Sequence, residues 1–342
     1  MLKRINPFLI LIVLLAMAAL LNVMVGAVNL TPGMIGSVIT AALQGKFAAA
    51  DPNGVFATIF LKLRLPHMVL LLLVGAALAG SGAAYQGLFR NPLADPYLIG
   101  VASGAGLGAV AAMSIQWPYT TLGSFAIPMA AFLGATAAVT FVTLMARVGK
   151  TVPTTNLILA GVVISSFCTA ISSMLMINSS GDLRRALVWL FGGSTMVGWT
   201  PVLAMLPYAL VGLLILLSLG HSLNVMQFGD EQAMQLGVPV TRVRWLTVIS
   251  STLATAAAVS FAGIIGFVGL IVPHLIRLLW GGDYRRILPL SLLGGAILLL
   301  LTDAVARTAM APQEIPIGII TSLMGAPFFL WLLRRSKSQN YW

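Results

Sequence analysis

Apolar segments separated by short polar connections run along almost the whole chain. Each has about the 20 residues that a helix needs to cross a bilayer, so the pattern predicts an all-α, polytopic membrane protein with about ten transmembrane helices. No polar segment of domain length flanks them, so we expect a single transmembrane domain over residues 1–342. The first segment follows MLKR and lacks a clear cleavage site, which favours a retained helix over a signal peptide. The predicted spans cover roughly 8–28, 66–85, 93–114, 123–145, 155–176, 200–220, 244–262, 264–280, 288–309 and 316–333.

Composition and charge agree with a membrane location. The chain is 59% hydrophobic and only 8% charged, whereas a soluble domain carries about 25% charged residues, so it cannot cover an aqueous surface. A net charge of +11 would suggest nucleic acid as a partner of a soluble protein, but most of the 19 Lys and Arg residues lie in short connections on one side of the predicted spans. This asymmetry argues against nucleic acid and predicts cytoplasmic N- and C-termini. The one cysteine, Cys168, lies in an apolar segment and is expected to pack there.

The segment 61–105 is rich in glycine and alanine and is interrupted by the polar turn NPLADP, Asn91 to Pro96. Spanning helices approach closely where side chains are small, and irregular backbone is tolerated at membrane depth only where protein or water surrounds it. Such a segment suits the wall of a translocation pathway better than a lipid-facing anchor. The sequence therefore indicates a transporter.

The longest inside connection, His221 to Arg244, contains the run GDEQAMQLG. Asp230 and Glu231 suit the start of a short helix, and Gly237 can end it. Pro239 then begins a second short element, so we expect two brief cytoplasmic helices at about 224–241. They would form either a rigid knob that seats in a partner's groove or an ordinary amphipathic connector. The chain has no GxxxxGK[ST] motif for ATP, so active transport would draw its energy from a partner.

A few charged or polar residues lie at or within the predicted spans. Arg64 and Arg307 fall at the outer ends of two spans, where they either snorkel to headgroups or dock acidic residues of another protein. Asp303 lies inside a span; we favour an intrahelical pair with Arg307 at i+4 over a proton or cation site. His274 is a single histidine without a second ligand and is interpreted as structural. No catalytic motif is evident, so an intramembrane enzyme has little support.

Several blocks, in this order, resemble one family over nearly the whole chain. They are RLP with VGAALAGSGAAYQGLFRNPLADPYLIGVASGAG, then GDEQAMQLGV, GFVGLIVPHLIRLLWGGDYRRILP, DAVAR and EIPIGIITSLMGAPFFLWLLRR. The chain resembles the FecCD-type permease subunit of type II ABC importers, a family that takes up iron-siderophores, haem and cobalamin.

The resemblance implies a ten-span protomer that dimerises, most simply as a homodimer, with the pathway at the dimer interface. Two cytoplasmic ATP-binding subunits and one extracytoplasmic substrate-binding protein would be its partners, and the cell (inner) membrane of a bacterium or archaeon its location. It implies no cofactor, no resident metal and no enzymatic activity of the chain itself. The substrate stays open between an iron chelate, including haem, and cobalamin.

The resemblance also assigns roles to individual positions. Arg64 and Arg307 match positions that dock the binding protein, while His67 stands where the family often has a second arginine, which weakens that contact or makes it pH-dependent. The outside pair Arg184 and Arg185 would steer an anionic chelate or lie in solvent. The expected ATPase contacts are Asp230, Glu231, Ala233, Leu236 and Gly237. The resemblance also places the fifth span, at 155–176, along the central pathway, with an outer gate near its outward end and an inner gate in the loop ARVGKTVPTTN, Ala146 to Asn156. The expected pathway and gate residues are Gly149, Thr151, Ser165, Ser166, Thr169, Ser172, Ser173 and Met176.

An ion-coupled secondary transporter remains as an alternative from another class. It would carry its own coupling site near Asp303 and would have no need for the knob at Asp230.

Overall fold

The computed structural model describes residues 6–26, 30–44, 55–115, 117–118, 120–149, 152–178, 183–194 and 196–336. Within these ranges the chain folds into helices. In chain order they are α1 (Pro7–Met24), α2 (Pro32–Gln44), α3 (Val55–Phe89, with a π-helical turn at Ile59–Arg64), α4 (Val101–Met113), α5 (Thr121–Ala146), α6 (Thr154–Asn178), α7 (Leu183–Leu190), α8 (Trp199–Ser218), α9 (Gly220–Met226), α10 (Asp230–Gln235), α11 (Val240–Ala262), α12 (Val268–Trp280), α13 (Tyr284–Thr308) and α14 (Ile317–Ser336).

Seven helices in the described part of the chain are long and apolar enough to cross a membrane: α1, α3, α5, α6, α8, α11 and α13. The three remaining predicted spans correspond to the apolar helices α4, α12 and α14. The prediction of about ten spans therefore agrees with the structure.

Two predicted spans begin later than expected because their first residues form irregular backbone. The span predicted at 93–114 starts with the 3₁₀ turn Pro96–Ile99, and the span predicted at 264–280 starts as a helix only at Val268. Polar groups of these two segments form a hydrogen bond with each other: the Tyr97 hydroxyl donates to the Ile265 carbonyl oxygen over 3.0 Å. Non-helical backbone is thereby paired inside the protein, as membrane depth requires.

The polar connections contain more helix than the sequence predicted. The connection at 29–65 includes α2 and the beginning of α3, which starts at Val55 rather than near residue 66. The connection at 177–199 contains the short amphipathic helix α7. The connection at 221–243, where short helices were predicted, contains most of α9 and all of α10.

Helix α3 runs through the centre of the molecule and packs against α8, α11, α12 and α13. The crossing with α13 is closest where Gly75 faces Gly295. A Cβ atom built at either glycine would overlap the carbonyl oxygen of the other. The small residues of the segment 61–105 thus allow direct backbone contact between helices, as the sequence predicted.

Candidate functional site

A buried polar cluster at one end of the helix bundle joins α1, α3 and α13. At its centre, Asp303 of α13 is only 3% exposed. Its Oδ1 lies 3.0 Å from Nε2 of His67. Its Oδ2 accepts from Asn22 Nδ2 over 2.8 Å and forms an ion pair with Arg307 Nη2 at 2.6 Å. Both carboxylate oxygens are therefore occupied by neighbours from three helices, and the predicted intrahelical pair of Asp303 with Arg307 is confirmed.

The same cluster caps the C-terminal end of α1. Arg307 Nη2 donates to the carbonyl oxygen of Asn22 over 2.8 Å, and Arg64 Nη1 donates to the carbonyl oxygens of Val23 and Met24. Carbonyl groups in the last turn of a helix have no partner within it and carry the negative end of the helix dipole. Two guanidinium groups therefore satisfy them with both hydrogen bonds and charge.

Arg64 and Arg307 are consequently held inside the protein rather than extended to lipid headgroups. Arg64 is 9% exposed, and the side chain of Arg307 is 10% exposed. Their roles in docking, and that of His67, stay predictions. Asn22 was not among the residues predicted from the sequence. It is a lone amide in the apolar run of α1, and this pattern could have identified it.

At the opposite end of the bundle, α9 and α10 form a platform that is fixed to the longer helices. Asp230 Oδ2 lies 2.7 Å from Arg244 Nη2, and its Oδ1 lies 3.6 Å from Arg90 Nη2. Glu231, Leu236 and Gly237 are exposed, and Gly237 ends the helix with φ of 82°. The short helix predicted from GDEQAMQLG is therefore present as α10. The second short element, predicted to begin at Pro239, is instead the start of the long helix α11, and the other short helix, α9, lies before α10.

The five predicted ATPase contacts lie in different environments on this platform. Ala233 is fully buried beneath it, and Asp230 is turned toward arginines of the same chain, so these two support the platform from within. Phe228 and Met234 lie on the same short segment as the exposed Leu236, and their apolar side chains are exposed as well. Neither was among the residues predicted from the sequence.

A second set of contacts fixes α9 to the start of α13. Asn224 donates through Nδ2 to Asp283 Oδ1 and accepts from the backbone nitrogen of Tyr284. Hydrogen bonds from the Arg285 guanidinium, and then from Asn224, lower the pKa of Asp283 from its ordinary value of 3.8 to about 2.

The predicted inner gate lies between α5 and α6. Gly149 is exposed with φ of 60°, and its carbonyl oxygen accepts from Arg147 Nε over 2.8 Å. A positive φ suits glycine because it has no Cβ. Thr151, the other predicted gate residue, lies outside the described residues.

The predicted pathway residues of α6 share one side of the helix, as their spacing of three, four and seven residues requires. The most enclosed positions pack inward: Ser165 Oγ accepts from Ser103 Oγ of α4 over 3.1 Å, and Ser172 is buried. Ser173 and Met176 are half-buried, and Ser166 and Thr169 are exposed at the edge of this side.

One side of α6 packs against α4 and α5, and the other is open in the single chain. Large apolar side chains, including Leu159, Phe167 and Met174, are well exposed there. Arg184 and Arg185 of α7 are exposed. The described part of the chain thus combines many apolar helices, a buried polar cluster at one end of the bundle and a platform of short helices at the other. This arrangement suits a multi-pass membrane subunit.

Comparison with known proteins agrees with this class. Residues 12–335 match the FecCD transport family, and the chain belongs to that family. It is 45% identical to the cobalamin import system permease protein BtuC of Halobacterium salinarum, over 93% of this chain and 88% of that one. It is 40% identical to the hemin transport system permease protein HmuU of Yersinia pestis, over 90% and 93% of the two chains.

A solved structure agrees in fold over the same length. It describes an inward-facing metal-chelate type ABC transporter, with a TM-score of 0.80 and 32% identity, and the match covers 96% of this chain and 98% of that one. The chain is thus a transmembrane permease subunit of an ABC importer, with the type II permease fold, and it is a transport component that works with ATPase and binding proteins.

Proposed function

We propose that the chain is one of two identical permease subunits of an importer for a bulky metal chelate: an iron-siderophore, haem or cobalamin. Two ATP-binding subunits on the inside supply the energy, and a substrate-binding protein delivers the chelate from outside. The chain is one permease domain in the inner membrane of a bacterial or archaeal cell, with both termini in the cytoplasm. Relatives named for cobalamin, hemin and Fe(3+)-citrate support a chelate as the substrate.

The observation that carries the substrate class is the row of small and soft residues along one side of α6, of which Ser166 and Thr169 are exposed and Ser173 and Met176 are half-buried. Ser166 and Ser173 donate their hydroxyl protons to carbonyl oxygens one turn earlier in the same helix. Their side chains therefore present small, weakly interacting surfaces, and Met176 adds a soft, adaptable one. A conduction path must bind weakly enough to release its substrate. Such a face, shared between two protomers, suits a large chelate that slides past without being held.

The outer cluster supports docking of the binding protein. A Cβ atom built at Gly26 would lie 2.8 Å from Arg64 Nη2 and 3.5 Å from Arg307 Nη1, so the two guanidinium groups converge on one place. A glutamate of the binding protein that reached this place would receive charge-assisted hydrogen bonds from either arginine. His67, which already contacts Asp303, would take part through that carboxylate.

The inner platform supports docking of the ATP-binding subunits. Glu231, Leu236 and Gly237 are its exposed predicted residues, and the exposed apolar side chains of Phe228 and Met234 extend the surface. Apolar anchors surrounded by polar residues are the usual centre of a protein interface.

The ion-coupled alternative gains no support from the site. Asp303, its proposed coupling group, has both oxygens engaged by Asn22, His67 and Arg307. This arrangement suits a structural carboxylate better than one that exchanges ions.

Uptake into proteoliposomes tests the proposal. The vesicles would contain the permease with its ATP-binding subunits, and the binding protein would be added outside. A ferric siderophore, haem and cobalamin would be offered in turn, each with and without ATP, and a sample without binding protein serves as control. We expect ATP-dependent accumulation of one compound. Uptake that ignores ATP and follows an imposed proton or sodium gradient would contradict the proposal.

A further inference from the structure

Arg244 links the inner platform to the predicted inner gate. It lies in the first turns of α11, and its Nη2 is 2.7 Å from Oδ2 of Asp230, the first residue of α10. Its Nη1 donates to the carbonyl oxygen of Val152 over 3.1 Å. Val152 lies between the gate residue Gly149 and the start of α6. One guanidinium group therefore bridges the platform and the base of the pathway helix.

The Arg244 side chain is largely enclosed by its surroundings, with only 14% of it exposed. It borders a small cavity together with Val152, Leu157 of α6 and Trp245. Leu157 is almost fully buried, so the first turn of α6 is packed where the bridge reaches it. The Asp230 end of the bridge is more open, at 36% exposed, but the hydrogen bond there is charge-assisted and hence stronger than a neutral one. Movement of Asp230 is therefore transmitted to Val152 through a guanidinium group that is held at both ends.

Asp230 also contacts Arg90, but this second contact is longer, at 3.6 Å, and more open to solvent. Arg90 follows the last residue of α3, the central helix of the bundle. The carboxylate of Asp230 thus lies between one arginine on the central helix and one that reaches the gate. Displacement of α10 changes its distance to both.

We propose that Arg244 is a positioning residue that couples movement of α10 to the inner gate. The inference rests on the proposed function, because it takes the platform as the surface on which the ATP-binding subunits act. When these subunits displace α10, Asp230 carries the Arg244 guanidinium with it. The Val152 carbonyl follows, and the base of α6 shifts. Loss of the bridge leaves ATP hydrolysis running without moving the gate.

The test uses the complete complex, with its ATP-binding subunits in proteoliposomes and the binding protein outside, and measures substrate uptake and ATP hydrolysis in the same vesicles. Arg244→Gln removes the charge that bridges Asp230 to Val152. We expect ATP hydrolysis to stay within about twofold of the wild type, and the amount transported per ATP to fall by about tenfold. Arg242→Gln is the matched control, because Arg242 is exposed and only two residues away. It should leave both quantities unchanged.

Two further variants separate coupling from general damage. Asp230→Asn should lower transport per ATP as Arg244→Gln does, and the double variant should be no worse than either single one, because both remove the same link. Unchanged transport per ATP in Arg244→Gln overturns the inference. So does a loss of uptake and hydrolysis in equal proportion in both single variants, which indicates failed assembly rather than lost coupling. A wild-type complex without ATP-driven uptake would overturn the proposed function, and the inference with it.

Discussion

Asp303 and Arg307 lie one helical turn apart on α13, and Asp303 Oδ2 is 2.6 Å from Arg307 Nη2. The pair does more than neutralise two charges inside one helix. Arg307 uses the same nitrogen to reach the backbone of α1, and Asp303 reaches His67 of α3. One ion pair therefore ties three helices together at the outer end of the permease.

Replacing Asp303 with Asn should destabilise the protein strongly. The substitution leaves Arg307, whose side chain is 10% exposed, without its carboxylate. Breaking a buried ion pair from one side typically costs about 3–5 kcal/mol. We expect a loss of about 3 kcal/mol in the free energy of unfolding, measured by denaturation of the purified protein in detergent.

Thr302→Val provides the control for Asp303→Asn. Thr302 is the buried neighbour of Asp303, and its hydroxyl donates to the Leu298 carbonyl oxygen of the same helix. Removing this neutral hydrogen bond should cost about 1 kcal/mol. Equal losses for the two variants would mean that the ion pair contributes nothing beyond an ordinary hydrogen bond.

The contact between α3 and α13 gives a second prediction about stability. A Cβ atom at Gly75 would overlap the backbone of Gly295, which cannot yield as a flexible side chain can. Gly75→Ala should therefore separate the helices and lower the unfolding free energy by about 1–3 kcal/mol, as overpacking does. At Gly36 of α2 a Cβ would meet nothing within 4 Å. Gly36→Ala should be neutral or slightly stabilising, since alanine favours a helix by about 1 kcal/mol. Similar thermal unfolding of both variants would contradict the close crossing.

The sequence predicted the helices well because bilayer length and hydrophobicity are local properties of the chain. It placed the starts of α4 and α12 too early: the span predicted from residue 93 took in part of the polar turn NPLADP, and the span predicted from residue 264 took in an apolar segment that is not helical. Their irregular backbone depends on a partner distant in sequence: Tyr97 and Ile265 are paired across the fold. No local pattern contains that information.

The candidate site was predictable to a similar extent. Arg64, Asp303 and Arg307 stood out as charges at or within spans, and the i+4 spacing of the last two indicated their pair. Their convergence on the end of α1 through Asn22 could not be predicted, because it depends on how three helices pack. The inward orientation of Asp230 depends in the same way on Arg244, since a first-turn acidic residue also suits an exposed helix start.

The lowered pKa of Asp283 predicts a pH-dependent contribution to stability. Its pKa falls from 3.8 to about 2 because Arg285 and Asn224 donate to the charged carboxylate. A carboxyl group with a lowered folded-state pKa stabilises the protein fully above the unfolded value, and this contribution is lost as pH falls through the folded value. The difference in melting temperature between wild type and Asp283→Asn should therefore be constant above about pH 5 and shrink between about pH 4 and pH 2.

The origin of this pH dependence can be checked with two arginine variants. Arg285→Gln removes the main hydrogen-bond donor to Asp283. In this background, the difference in melting temperature between the protein with Asp283 and its Asp283→Asn variant should depend less on pH. Arg286→Gln removes a neighbouring exposed arginine and should leave the difference intact. A difference that persists unchanged down to about pH 2 would show that the Asp283 charge does not contribute to it.

The converging arginines at the end of α1 predict where the binding protein is sensitive to mutation. Arg307→Ala and Arg64→Ala should each raise the Kd for the binding protein by tenfold or more. Truncating one member of a buried charge pair typically costs about 2–5 kcal/mol of binding free energy, and about 1.4 kcal/mol corresponds to a tenfold change in Kd. Arg184→Ala removes an exposed arginine of α7 and serves as the control, with a change of about threefold or less expected from an exposed charge. Surface-immobilised permease complex and soluble binding protein allow the measurement, and a thermal unfolding curve for each variant separates lost docking from lost folding. If Arg184→Ala weakens binding as much as Arg307→Ala, the docking site lies on α7 and not at the end of α1.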